Sequence, residues 1–328
     1  MNKIAVALIG AGRMGAVHGG NAGQNGGLRL KYVVEPRAEA AAPLCAAYGA
    51  QNVSMETALG DPDIAGIIVC SATSQHLEHT GQALSAGKAV FSEKPIDLNL
   101  ERVRAAAPVL DGAPFLLGFN RRFDPHVMAL KQKLDSGVLG ALESLHIVNH
   151  DPAAPPPGFI PTSGGLFKDF TIHDLDLARW LLDEPISEVF TVASCLVDPE
   201  IGRQGDVDTA RTVLKSASGR LCVISNTRRS GYGYDQRIEA FAQRGMAAVG
   251  NVSIHTVAAF TEAGASAGPI MDHFTTRYAD SYRAEMEHFA DMLHTGVPPR
   301  VSYADGLAAL VLAEACAESA ASGAAVML

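Results

Sequence analysis

No stretch of this chain carries a run of lysine and arginine, and its formal net charge is −9. A nucleic-acid backbone or an anionic membrane surface is therefore excluded as its main partner. No apolar stretch reaches the length of a membrane span without a charge or a glycine cluster. The first such run, residues 4–9, is too short and too soon broken by glycine for a signal peptide. Cysteine is sparse as well. Cys45, Cys70, Cys195, Cys222 and Cys316 are odd in number, scattered, and free of any Cys-x-x-Cys pair. That pattern implies reduced, mostly buried thiols in a cytoplasmic protein and argues against zinc held by sulfur. No clear internal repeat and no low-complexity linker is present. What remains is 48% hydrophobic and 19% charged over 328 residues. This is the composition of a soluble globular protein that is long for one core, so two domains are expected.

Residues 4–9, IAVALI, form an unbroken apolar run of strand length, as in a strand covered on both faces. The run passes straight into GAGRMG, a G-x-G-x-x-G pattern on Gly10, Gly12 and Gly15. Gly10 allows the tight turn, Gly12 lets the backbone approach a pyrophosphate, and Gly15 lets the helix pack closely on the strand. The phosphates would sit over the amides at the helix start, where the dipole is positive. Among 32 glycines such a pattern is weak alone, but its context strengthens it. A second strand-like run, LRLKYVVE, ends in Glu35, about 20 residues further on, where a carboxylate would meet the adenosine ribose. That acid implies NAD over NADP. Arg37 either stacks on the adenine or pairs with a 2′-phosphate, which leaves NADP open.

AGIIVCSA, KAVFSEKP and PFLLGFN read as further strands, with SQHLEHTGQALSAG and LNLERVRAAAPVL as helices. The alternation implies a doubly wound parallel sheet with ligands at the carboxyl ends of its strands. The candidate cofactor-binding set is Gly10, Ala11, Gly12, Arg13, Met14, Glu35, Arg37, Ser71, Thr73, His76, Glu93 and Lys94. Asn120 and Arg121 fall at a strand end too. A lysine after a strand is by default a solvated charge. At the cofactor face, Lys94 would instead stabilise alkoxide charge developing on a substrate hydroxyl and relay its proton.

After Asn120 the composition changes. DPAAPPPGFIPTSGG is a loop that delivers the chain to LFKDFTIHDLDLARWL. Here Phe167, Phe170, Leu175, Ala178 and Leu182 recur at helical spacing, which predicts a helix over 167–182. Asp169 and His173 are then i and i+4 on one face. Local spacing leaves three readings of that pair. It is an intrahelical pair on a wet surface, or part of a metal site with a nearby acid, or an acid–base device with His173 as proton acceptor oriented by Asp169. Beyond it, VFTVASCLV, TARTVLKSASGRLCVISNTRRS and DQRIEAFAQRGMAAVG read as strands of a largely antiparallel sheet, with turns at Ser218-Gly219 and Arg244-Gly245. RYADSYRAEMEHFADMLHTG and DGLAALVLAEACAESAASG read as helices, each stopped by glycine.

The segments GAGRMG, SEKP, FNRRFDP, DPAAPPPGF, SGGLFKDFTIHDLDLARWL, GYGYDQRIE and TRYADSYRAEMEHF carry a resemblance over essentially the whole chain. The chain resembles the glucose–fructose oxidoreductase/inositol dehydrogenase/rhizopine catabolism oxidoreductase family. IHDLDLARWL followed by GYGYDQRIE is similar to its inositol branch. The resemblance implies an α/β Rossmann domain over 1–121, and a second domain over 122–328 built on an open, mostly antiparallel mixed sheet with helices on one face. That second domain would carry the substrate site and the interface of a homodimer or homotetramer. The resemblance also implies a catalytic group of Lys94, Asp169 and His173, with no metal. His173 would take the proton from a ring hydroxyl of a cyclitol, myo-inositol going to its 2-keto form, while hydride leaves the same carbon for NAD. Lys94 would hydrogen-bond the oxygen and Asp169 would orient the group. Arg121, Asn149, Asp151, Tyr232, Tyr234 and Tyr282 would hold the remaining hydroxyls. Two departures stand out: His150-Asp151-Pro152 where many members of the branch have Arg-Asp-Pro, and Lys168 where an apolar residue is common. Either would alter which cyclitol is preferred. Scyllo-inositol, a chiro-inositol or an aldose stay as alternative substrates. A non-catalytic cofactor-binding regulator, or a glycoside-cleaving enzyme with tightly held NAD, stays as an alternative class.

Overall fold

The computed structural model describes residues 2–156 and 158–328. Pro157, in the proline-rich connection, lies outside the described residues. The chain divides into two compact units, Met1–Phe123 with Asp280–Leu310, and Asp124–Ala279 with Val311–Leu328. The first unit is thus completed by a late segment of the chain.

The first unit is built on six strands: β1 (Ile4–Ile9), β2 (Leu28–Val34), β3 (Gln51–Asn52), β4 (Ile64–Val69), β5 (Ala89–Glu93) and β6 (Phe115–Gly118). All pair in parallel in the order β3-β2-β1-β4-β5-β6, the doubly wound dinucleotide-binding order. The apolar runs become the central strands because both faces are covered: Val6, Ala7, Leu8, Ile67, Ile68, Val90 and Phe91 are fully buried. The strand order reverses between β1 and β4, so the turns after these strands open a crevice at their carboxyl ends. The late helix Ala279–Thr295 packs on the same sheet. A Cβ on Gly66 of β4 would lie 2.9 Å from the Phe289 ring, so only glycine lets that ring approach.

The second unit holds β7 (Leu142–His150), β8 (Ile186–Ser194), β9 (Thr209–Ser216), β10 (Leu221–Thr227), β11 (Asp235–Ala242), β12 (Gly245–Val249) and β15 (Val326–Met327) in one mixed sheet. Its order is β12-β11-β7-β10-β9-β8-β15, antiparallel except where β7 meets β10. A small hairpin, β13 (Ala258–Thr261) with β14 (Gly264–Ala267), stands outside it. On one face Leu145, Ile147, Cys222, Ile224, Leu214 and Val189 pack against Leu175, Leu181 and Leu182 of helix Ile172–Leu182 and Leu312 and Cys316 of the last helix. The other face is open, with Phe190, Val192, Val213, Leu221, Val223, Phe241 and Met246 exposed.

One expectation changes in detail. The single helix over 167–182 is two joined pieces, a π-helical segment Leu166–Thr171 and an α-helix Ile172–Leu182. Gly164 and Gly165 enter it in left-handed conformations (φ 84° and 80°), and the Leu166 amide donates to the Asp206 carboxylate at 3.0 Å. Leu166, Phe167 and Phe170 are buried, so the apolar spacing does not reveal the extra residue per turn. Such segments often sit at functional sites.

Candidate active site

In the first unit the glycines act as the motif requires. Gly10 has φ 87°, and a Cβ there would lie 2.6 Å from the Cys70 carbonyl oxygen; a Cβ on Gly15 would lie 2.0 Å from that of Gly10. A Cβ on Gly12 would meet nothing within 4 Å, so its backbone faces open space. Helix Arg13–Gln24 begins there with no side-chain cap, which leaves its first amides to an anion such as a pyrophosphate. Glu35 follows β2 and accepts from the Ala11 amide at 2.9 Å and from Arg37 through Nε at 2.9 Å. The Arg37 guanidinium and these amides bring its carboxyl down to about 2. Arg37 is thereby spent on Glu35, and a 2′-phosphate would meet an ionised acid. The arrangement fits the ribose hydroxyls of NAD.

At the ends of β4 and β5, His76 joins two loops, with Nδ1 2.8 Å from the Pro95 carbonyl oxygen and Nε2 3.0 Å from that of Ser71. Thr73 opens the short 3₁₀ turn Thr73–Gln75. Glu93 points inward: its Oε1 is 2.7 Å from His18 Nε2, and Oε2 accepts from the Lys94 amide at 3.1 Å. Burial works against its ionisation, but the His18 bond and the Lys94 charge outweigh it and its pKa is lowered. Lys94 follows directly. Arg121 is buried within the 3₁₀ turn Asn120–Phe123. Tyr282 sets its ring edge against His18, centroids 5.5 Å apart. One turn further on, Glu285 is fully buried, and neither carboxyl oxygen finds a hydrogen-bond partner among the described residues.

The second unit's site grows from strand register. Asn149 of β7 lies beside Asn226 of β10 and beside Gln236 of β11, so three amides stand in one row on one face of the sheet. Gln236 donates to Asn149 Oδ1 at 2.5 Å, and Tyr278 donates to Gln236 Oε1 at 3.0 Å. Asn149 and Asn226 each donate to Asp174 Oδ2 at 2.8 Å, and Thr171 donates to Asn226 Oδ1 at 2.9 Å. Asp174 is fully buried, and its two charge-assisted bonds anchor the helix immediately after His173. Asp169 lies one turn earlier on the π segment, with Oδ2 3.7 Å from Arg228 Nη1 and its side chain about one-fifth exposed. His173 is half-buried, with Nδ1 shielded from solvent.

The candidate substrate residues of this unit do not share one environment. Asn149 is fully buried in the row, and Tyr234 is buried edge-on against Tyr278. Asp151 is tied by its backbone to Thr227 and Ser230. Tyr232 is exposed and donates to Asp235 at 2.7 Å. His150, next to Asn149 in the strand, faces the opposite side of the sheet, where Nε2 is 2.9 Å from Ser225 Oγ and Nδ1 3.6 Å from Asp235; burial lowers its pKa. Lys168 turns to Glu314, 2.7 Å away. Neither departure from the family pattern lies in the amide row. Among the described residues no three His, Cys, Asp or Glu side chains converge to hold a metal ion. Sequence reasoning missed His18, Glu285, Asp174, Asn226, Gln236, Arg228 and Asp206. His18, Asp174, Gln236 and Glu285 lay in or near a segment that carries the family resemblance, but nothing in the spacing named their partners.

A parallel sheet in this order, with a glycine turn open to a pyrophosphate and an ionised acid after β2, defines an NAD-dependent oxidoreductase. The chain belongs to the GFO/IDH/MocA oxidoreductase family: residues 4–113 match its NAD-binding Rossmann fold and residues 127–248 its C-terminal domain. It is 42% identical to the inositol 2-dehydrogenase of Rhizobium meliloti, over 96% of each chain. Its fold is similar to the crystal structure of a myo-inositol dehydrogenase from Corynebacterium glutamicum, with TM-score 0.96 and 40% identity over 100% of this chain and 99% of that one. It is also similar to a scyllo-inositol dehydrogenase from Lactobacillus casei solved with NAD(H) and scyllo-inositol, with TM-score 0.92 and 26% identity over 99% of each chain.

Proposed function

We propose that this chain oxidises a ring hydroxyl of a cyclitol, taking myo-inositol to its 2-keto form with NAD. The likeness to an inositol 2-dehydrogenase over 96% of both chains carries the reading, and the buried anchor beside His173 supports it. The glycine turn at Gly10, Ala11, Gly12, Arg13 and Met14 would hold the pyrophosphate, and Glu35 the adenosine ribose. When bound, NAD supplies the hydride acceptor. His173 takes the hydroxyl proton; with Nδ1 shielded, Nε2 is the nitrogen that meets the substrate. Lys94 donates to the same oxygen as negative charge builds on it. Asp169 orients the acid–base group and a neighbouring hydroxyl. The likeness to a scyllo-inositol dehydrogenase makes that isomer the second candidate.

Two coarser readings go with this one. The exposed stripe Phe190–Val213–Val223, aligned across β8, β9 and β10, supports a homodimer or homotetramer formed through the open face. Five free thiols support the cytoplasm.

The test is NADH formation at alkaline pH with a panel of inositol isomers and aldoses, run in parallel with NADP. Turnover with myo-inositol and NAD is expected. Turnover with an aldose and none with any cyclitol would overturn the substrate reading and leave the oxidoreductase intact.

A further inference from the structure

Arg228 follows β10, and its amide donates to the Asp208 carbonyl oxygen at 2.9 Å. Its side chain is among the largest fully buried ones, 1% exposed. A guanidinium in such a place is tolerated only where its charge is answered. Two carboxylates answer it: Asp169 Oδ2 lies 3.7 Å from Nη1 and Asp206 Oδ2 lies 3.9 Å from Nη2. The guanidinium carbon stands 5.8 Å from the centre of the Phe170 ring, next to Asp169 in sequence. Among the described residues neither Nε nor Nη2 makes a hydrogen bond, so charge rather than a hydrogen bond relates the cation to its neighbours.

The π segment is therefore gripped at two points. At its start, Asp206 Oδ1 accepts from the Leu166 amide at 3.0 Å, and a Cβ on Gly165 would lie 2.8 Å from that oxygen. In its middle, Asp169 faces the guanidinium. Two carboxylates this near a common point would repel one another without the cation between them.

We propose that Arg228 is a positioning residue, setting where the Asp169 carboxylate stands through a charge pair shared with Asp206. The inference rests on the reading of Asp169 as a member of the catalytic group. Arg228, nearly without exposed surface, acts through Asp169 and not on the substrate.

The test is a double-mutant cycle on the full chain, with kcat and KM measured for NAD and for the cyclitol and folding checked by circular dichroism. Arg228→Lys keeps the charge but loses the planar fork. Its kcat is expected to fall by about 10²-fold, the scale of an ångström-sized misplacement, with KM for NAD unchanged. In an Asp169→Asn background the same change is expected to cost nothing further. Equal losses in both backgrounds would overturn the inference and reduce Arg228 to packing. Asp206→Asn leaves the guanidinium in place and enters the same cycle if Arg228→Lys does not fold; a loss from Asp206→Asn that persists without Asp169 overturns it equally. Full turnover in Asp169→Asn alone would bring down the catalytic reading instead, and that single variant distinguishes the two failures.

Discussion

The two units answer their buried polar groups in different ways. In the first, the answers are local and separate: Glu93 meets His18 and the Lys94 amide, Glu35 meets Arg37 and the Ala11 amide, and Glu285 meets no donor among the described residues. In the second, Tyr278, Gln236, Asn149, Asp174, Asn226 and Thr171 form one chain of bonds across three strands and onto a helix. Separate local clusters suit the role proposed for this unit, one acid for a ribose and one lysine for an alkoxide. A connected row has no independent members. Its value is positional, and it holds still the turn that carries His173.

The contrast can be broken at several points. The largest effect is expected from His173→Ala, which removes the proposed base. Turnover should fall by about 10³-fold while NAD binding, followed by fluorescence quenching, stays intact because the first unit is untouched. Retained turnover would end the acid–base assignment. Next is Asp174→Ala, which strips two buried amides of their common acceptor and should cost about 3 kcal/mol in urea unfolding. Tyr278→Phe, at the far end of the row, should cost about 1 kcal/mol. Equal small losses at both ends would mean isolated pairs instead of a connected row.

The third test uses pH. Burial first, and then the charge of Glu93, hold the Glu285 carboxyl well above the usual carboxylate range. Such a group contributes fully below its unfolded value, about 4.3, and its contribution drains away as pH rises toward the folded value. Glu285→Gln should therefore match the parent near pH 4 and melt at a higher temperature at neutral pH, with Glu93, His18 and Cys70 unchanged around it. Asp235 runs in the opposite direction. Burial opposes its ionisation, but bonds from Arg237, Tyr232 and Asn251 prevail and hold it at about 2. Its contribution is present above the ordinary carboxylate value and drains as pH falls toward 2, so Asp235→Asn should be weakest at neutral pH. Melting curves that shift in the same direction for both variants would contradict the assignment. The smallest effect is expected from Lys168→Ala. Its pair with Glu314 is at the surface and should be worth about 0.5 kcal/mol, with kcat and KM unchanged. A raised KM for the cyclitol would show instead that Lys168 reaches substrate.

How much of this was legible in the sequence follows the same division. The glycine turn and Glu35 could be read because their tasks belong to the backbone and to one strand end, both local. The second sheet could be read as largely antiparallel from its strands and turns, while its open, mixed character came from the family resemblance. The amide row could not: Asn149, Asn226 and Gln236 are far apart in the chain and become neighbours only through the register of β7, β10 and β11. The π segment was hidden because Phe167 and Phe170 are apolar and buried in either helical register. Arg228 lies in a basic dipeptide just after β10, and its two carboxylates come from elsewhere in the chain, Asp169 from the π segment and Asp206 from the stretch before β9.

The hydrogen bond from His18 to Glu93 has a kinetic side. His18 rides on the helix that starts at the glycine turn, and Glu93 precedes Lys94, so one 2.7 Å bond ties that helix to the strand end that carries Lys94. The Glu93 carboxylate, bonded to His18 on one oxygen and to the Lys94 amide on the other, gives any settling of that helix around a pyrophosphate a path to Lys94. The expected consequence is a compulsory order of addition, cofactor before polyol. Its signature is product inhibition by NADH that is competitive toward NAD and non-competitive toward the cyclitol; competition with both would mean that the two ligands enter independently.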